Sequence, residues 1–220
     1  GRPGSEVKSV KLVPWIHAAM KEGRVVPAIY VFPNGGPVSH YNMGKKSQMG
    51  EDVFIKELIP HVDATYRTIP RREGRALEGF SQGGRGTARI MFRHPHLFVS
   101  AAPGGGGHAT EKRISEEGGR ESDKLIFAKG DNTWDLARKY GAKQKPKLNI
   151  LVYVGNKGFN YQNNLEWMKH LKKLKIPFGH LIIPDAPHSA TIIYEKKGLE
   201  IMGFHARNFA QALKDFHGEE

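Results

Sequence analysis

Apolar positions along the chain alternate between helical stripes and short continuous runs. In residues 7–21, Val10, Val13, Ile16, Ala19 and Met20 recur at helical spacing, and Gly23 is the expected stop. Residues 24–33 are apolar almost throughout, the pattern of a parallel strand buried on both faces. Residues 34–50 form a polar loop rich in Gly and Ser, with Tyr41, Met43 and Met49 embedded in it. Residues 51–66 read as a helix with Val53, Phe54, Leu58, Ile59 and Val62 on one face, kinked or broken at Pro60. A short strand is expected at 75–78, a helix at 84–92, a turn at Pro95 and a strand at 98–102. Further on come a helix at 134–142, capped by Asp131, Asn132 or Thr133, and a β-branched strand at 148–154. The amphipathic helix at 163–175 turns Leu165, Met168, Leu171 and Leu174 inward. A last strand at 179–183 and a closing helix at 204–216 end the series.

Strands that alternate with helices predict an α/β fold, a mostly parallel sheet with helices on both faces. The 220 residues suit one domain spanning 1–220. In such sheets ligands bind beyond the carboxyl ends of the strands, so the loops there hold the candidate chemistry.

Composition narrows the choices. The chain is 39% hydrophobic and 25% charged, as in an ordinary globular protein. No apolar run has the length of a membrane span, so no membrane partner is expected. There is no cysteine, which excludes disulfides, thiolate metal sites and a cysteine nucleophile, but assigns no compartment. A net charge of +12 raises nucleic acid as a partner. The basic residues are scattered doublets, such as Arg71-Arg72 and Lys172-Lys173, with no aromatic-interleaved stretch. Affinity for acidic polymers fits them better than a nucleic-acid site.

The stretch Gly79-Phe80-Ser81-Gln82-Gly83 carries the chemistry. A strand, then G-x-S-x-G, then a helix is the arrangement of a nucleophile elbow, in which the serine occupies a strained turn. Gly79 and Gly83 are expected to give the turn its space. Serine needs a base for its proton and a group to orient that base. His188 follows the last strand, as the chain order of nucleophile, acid and histidine requires; His108, behind the glycine run, is the rival. The oxyanion formed on attack needs two backbone N–H groups. Gln82 is expected to supply one and the N-terminal Gly1-Arg2-Pro3-Gly4, represented by Arg2, the other. His94 and His96 lack accompanying ligands, so no metal and no cofactor are expected.

Four stretches, taken in order, resemble the esterase D-like family of α/β hydrolases, which includes feruloyl and acetyl xylan esterases. They are Ala19 to Gly23 with Pro27 to Asn34, Leu58-Ile59-Pro60-His61-Val62 with Tyr66-Arg67, Gly79 to Gly84, and Pro187-His188. The resemblance implies serine carboxylesterase activity through an acyl-enzyme, with Ser81 as nucleophile and His188 as base. It implies a small-molecule or polysaccharide-linked ester as substrate, feruloyl or acetyl esters among them, and leaves an oligomer open. Relatives carry further strands before the position of Gly1, so the chain is expected to be truncated at its N-terminus. The family's acid falls at Gly158, which has no carboxylate. Asn160 would hold the imidazole without charge, Asp131 or Asp135 would serve from the previous loop, and Asp185 lies near His188 in sequence. The competing expectation is a relative that lost the acid and acts as a binding module. Tyr41, His108, Trp134 and Phe159 sit in expected loops, where each could line an acyl or aromatic pocket or equally serve as packing.

Overall fold

The computed structural model of the chain describes residues 5–34, 40–42, 49–108 and 130–218. Strands β1 (Ala76–Phe80), β2 (Ser100–Gly104), β3 (Asn149–Gly155) and β4 (Gly179–Ile183) form one parallel sheet in the order β1-β2-β3-β4. Helices α5 (Gln82–Arg93), α6 (Thr133–Gly141) and α7 (Tyr161–Lys173) connect them. Strands laid side by side in chain order, joined by right-handed crossovers, put all three helices on one face. The opposite face is covered by α2 (Val13–Lys21) and by α8 (Ala190–Gly218).

The two cores follow from the period of two along each strand. Ile150, Val152 and Val154 of β3 join Met91, Trp167 and Leu171 on the crossover side. Leu151 and Tyr153, between them in sequence, join Ile16, Ile193 and Ile201 on the other. This is the expected α/β sheet with helices on both faces. Of the three candidate caps of α6 it is Asn132 that serves, its Oδ1 accepting from the N–H groups of Trp134 and Asp135.

Several elements differ from the sequence expectation. The helix at 7–21 is two helices, α1 (Ser5–Val10) and α2, and Pro14 sits in the first turn of the second, where its missing N–H costs nothing. Residues 24–33 form no strand: Val26, Ile29 and Val31 are 47%, 51% and 43% exposed, and the run has no ladder partner among the described residues. Apolar β-formers make a strand only where a neighbour supplies hydrogen bonds and a packing surface. The helix at 51–66 is α3 (Gly50–Asp52), a π-helical stretch (Val53–Leu58) and α4 (Ile59–Thr65), with the irregularity in the turns before Pro60. Its apolar side is not core; of these segments only Glu51 is buried. The closing helix begins at Ala190 rather than at 204. Gly198 and Gly203 lower its intrinsic propensity, and burial of Ile193, Tyr194, Ile201 and Met202 offsets that loss.

A polar knot is enclosed on the α8 side. Tyr194 Oη donates to Glu78 Oε1 over 2.6 Å and Tyr153 Oη does so over 3.2 Å. His205 Nε2 lies 3.7 Å from Glu78 Oε2, and its Nδ1 is 2.8 Å from Ser100 Oγ. Burial pushes the Glu78 carboxyl up to about 7 against the pull of the two hydroxyls, although 20% of the side chain stays accessible. A raised carboxyl pKa gives stability that is present below the unfolded value and lost as pH rises through about 7. Glu78→Gln keeps the hydrogen-bond acceptor and removes the titration. Urea midpoints of the two proteins are therefore expected to diverge between about pH 5 and 8, with the wild type losing ground as pH rises. Parallel profiles would show that Glu78 does not titrate in this range.

Candidate active site

Parallel strands bring four loops to one edge, those after Phe80, Gly104, Gly155 and Ile183. Backbone bonds continue the ladder past the strand ends. Ser81 N–H donates to Gly104 O over 2.9 Å, Gly105 N–H to Tyr153 O over 2.7 Å, and Lys157 N–H to Ala186 O over 3.0 Å. Ser81 stands between β1 and α5 with φ 60° and ψ −118°. A side chain at positive φ is strained and persists only where its surroundings hold it. The close approach of helix to strand requires glycine at two points. A Cβ on Gly79 would lie 2.3 Å from Gly83 O, and one on Gly84 2.1 Å from Gly104 O. Gly83, expected to be the second indispensable glycine, has open space at its Cβ position; the crowded residue is Gly84.

The loop before α8 returns His188 to this turn. Its Nε2 is 2.8 Å from Ser81 Oγ, so Oγ–H donates to the neutral imidazole. Burial lowers the His188 pKa and favours that neutral form. The imidazole packs against two phenyl rings, Phe80 at 4.7 Å and Phe159 at 4.4 Å between centroids. Gln82 opens α5 directly after the serine. Arg2 lies outside the described residues.

The other nominated residues separate clearly. His108 is 2% exposed and stacks on Trp167 at 3.9 Å. Burial pushes it down to about 3, so it is a core residue rather than a rival base. Tyr41 is likewise core, and Trp134 is half-buried, donating from Nε1 to His108 O over 3.3 Å. Only Phe159, 84% exposed, stands open beside His188. Asp131 pairs with Arg89 at 2.6 Å and with Arg93, and Asp135 bonds Arg138 and Asn132. Asp185 is exposed at φ 51°, its N–H donating to Asn156 Oδ1 over 2.8 Å. Gly158 does adjoin the imidazole residue: a Cβ there would be 3.8 Å from His188 Cα and 3.4 Å from Asn160 Oδ1. Asn160 donates from Nδ2 to Gly105 O, while its buried Oδ1 accepts no hydrogen bond from the described residues. Ser81 is the hydrogen-bond partner of His188 among the described residues.

Sequence reasoning missed the charge network behind the turn. Arg85 and Arg89 of α5 are buried, Arg85 donating to Gly107 O over 3.0 Å. Glu51 receives Arg93 Nε at 2.6 Å and lies 2.8 Å from His94 Nε2. Arginines four residues apart on a helix read as a solvated face. The one available hint was that their turns also carry Gly84, Gly86 and Ala88, residues small enough for close packing.

A model of the family named Esterase, described as putative esterase, matches residues 9–175 of this chain. Esterase Rv1288 and Esterase MT1326 of Mycobacterium tuberculosis are each 35% identical to it over 80 residues, 34% of this chain and 18% of theirs. The match thus spans under a fifth of those curated relatives. A ferulic acid esterase superposes with a TM-score of 0.76 at 18% identity, over 92% of this chain and 80% of its own. FphF, a fluorophosphonate-binding serine hydrolase of Staphylococcus aureus, does so at 0.68 and 20% identity, over 79% and 69%. At these identities the likeness is one of fold.

The two adjacent glycines give a direct test of the turn. Gly84→Ala is expected to destabilise the protein by about 1–3 kcal/mol or more, because backbone stands where the methyl would go. Gly83→Ala is expected to leave stability unchanged or raise it by up to about 1 kcal/mol, through helix propensity. Chemical denaturation of the pair measures the contrast, and equal losses would refute the assignment.

Proposed function

The chain belongs to the Putative esterase family, and from that premise we propose that it hydrolyses carboxylic esters by acyl transfer to Ser81, with His188 as general base. The observation that carries this reading is the 2.8 Å contact between Ser81 Oγ and His188 Nε2 at a serine held at positive φ. In the proposed reaction, Oγ attacks the ester carbonyl carbon as its proton passes to Nε2. Negative charge then develops on the carbonyl oxygen. The Gln82 N–H, at the positive end of the α5 dipole, is its proposed donor, and Arg2 remains the proposed source of a second. Collapse expels the alcohol, which takes the proton from His188. Water activated by the same imidazole then releases the acid and restores Ser81.

The proposed substrates are esters of the feruloyl or acetyl type on polysaccharides, supported by a fold shared with a ferulic acid esterase. The net charge of +12 favours approach to acidic polymers.

Hydrolysis of a short-chain chromogenic ester tests the reading. Ser81→Ala and His188→Ala are each expected to lose about 10⁴-fold or more in kcat, falling to background. In the wild type, the acid limb of kcat/KM is expected below the ordinary histidine value of 6.5, because burial lowers the pKa of the base in the free enzyme. Wild-type turnover no faster than that of Ser81→Ala would replace hydrolysis with the binding-module reading.

A further inference from the structure

His188 sits in a column of aromatic rings that runs from the core to the surface. Tyr153, fully buried on β3, stacks with Phe80 at 6.4 Å and 16°. Phe80 meets the imidazole at 4.7 Å and 36°, and Phe159 covers it at 4.4 Å and 52°. The inner ring is fixed by backbone geometry. Gly105 is at φ 48°, and a Cβ there would lie 2.7 Å from Phe80 Cε2. The outer ring is set by the turn that starts α7: Gly158 N–H donates to Gly155 O over 3.0 Å, and Tyr161 N–H to Gly158 O over 3.0 Å. Phe159 is 84% exposed, far more than any other large apolar side chain among the described residues. The aromatic ring it meets is the imidazole.

Resting on the esterase reading above, we infer that Phe80 and Phe159 form an aromatic clamp that positions His188 and stabilises its charged form during acyl transfer. Two properties of the arrangement support this. Contact with two phenyl rings restricts the imidazole and resists a swing of its Nε2 away from Ser81 Oγ. Both phenyl centroids also lie inside the distance at which a cation is attracted to an aromatic face. Proton transfer from Ser81 turns the imidazole into a cation, so the attraction appears in the transition state and not in the resting enzyme. Phe80 and Phe159 are positioning residues in this scheme and make no contact with the reacting atoms.

Phe159→Ala is the informative variant, since an exposed ring can be removed without opening the core. Its kcat is expected to fall about two- to fivefold, the rate equivalent of a cation–π contact to an exposed ring. KM is expected to stay within about twofold, with the same loss on an acetyl and on an aromatic-acyl ester, as an effect confined to the transition state requires. Phe159→Trp, which keeps the aromatic face, is expected to restore wild-type kcat or exceed it slightly. A loss confined to KM, or to the aromatic-acyl ester, would make Phe159 a substrate contact and overturn the clamp, as would unchanged kinetics. A second readout needs no turnover. The His188 Cε1–H resonance, observed by NMR, is expected to move in Phe159→Ala as the ring current is lost, and a fixed resonance overturns the clamp. If wild type hydrolyses esters no faster than Ser81→Ala, the esterase reading fails, while the resonance still decides whether the clamp exists.

Discussion

Holding Ser81 at φ 60° is the constraint on which the rest of the structure depends. A residue with a side chain pays about 1–3 kcal/mol for such a conformation, so neighbouring structure must impose it. Here the imposition is local and specific. Gly79 lets the α5 backbone come against β1, and Gly84 lets it come against Gly104 of β2. The Ser81 N–H is held by Gly104 O and the Ser81 carbonyl by the Arg85 N–H. Strand pairing, helix packing and the serine's direction are one arrangement, and none of them can change alone.

Buried charge reinforces that arrangement at a cost. Arg89 and Arg93 of α5 reach Glu51 on one side and Asp131 on the other. Such pairs repay their desolvation only with good geometry, and removing one partner strands the other. Their value here is positional, because they tie the nucleophile helix to segments far away in sequence. Glu78, Tyr153, Tyr194, His205 and Ser100 act similarly below the turn, joining β1, β2 and β3 to α8. The serine therefore rests on this base, while the imidazole packs against Phe80 of β1 and Phe159 of the loop before α7.

Much of this was legible in the sequence. The parallel α/β order followed from alternating periodicities, and residues 179–183 coincide with β4. The G-x-S-x-G stretch pointed to Ser81, and chain order together with the family resemblance favoured His188 over His108; its Nε2 is 2.8 Å from Ser81 Oγ. These features were readable because each is encoded by neighbouring residues: side-chain period, glycine at a turn, and a loop that must follow a strand.

Other features were not local and so were not readable. The apolar run at 24–33 has strand composition but no pairing partner among the described residues, and pairing is a property of two segments. Gly83 and Gly84 are identical in sequence, yet only Gly84 faces Gly104 O. His108 and His188 both follow strands near the same edge, but one is stacked on Trp167 and the other meets Ser81. By itself the sequence determined the alternation of elements, the strained turn and the residue types available for chemistry. The tertiary structure decided which of those residues meet, because burial, close approach and ring stacking depend on segments that the chain brings together only by folding.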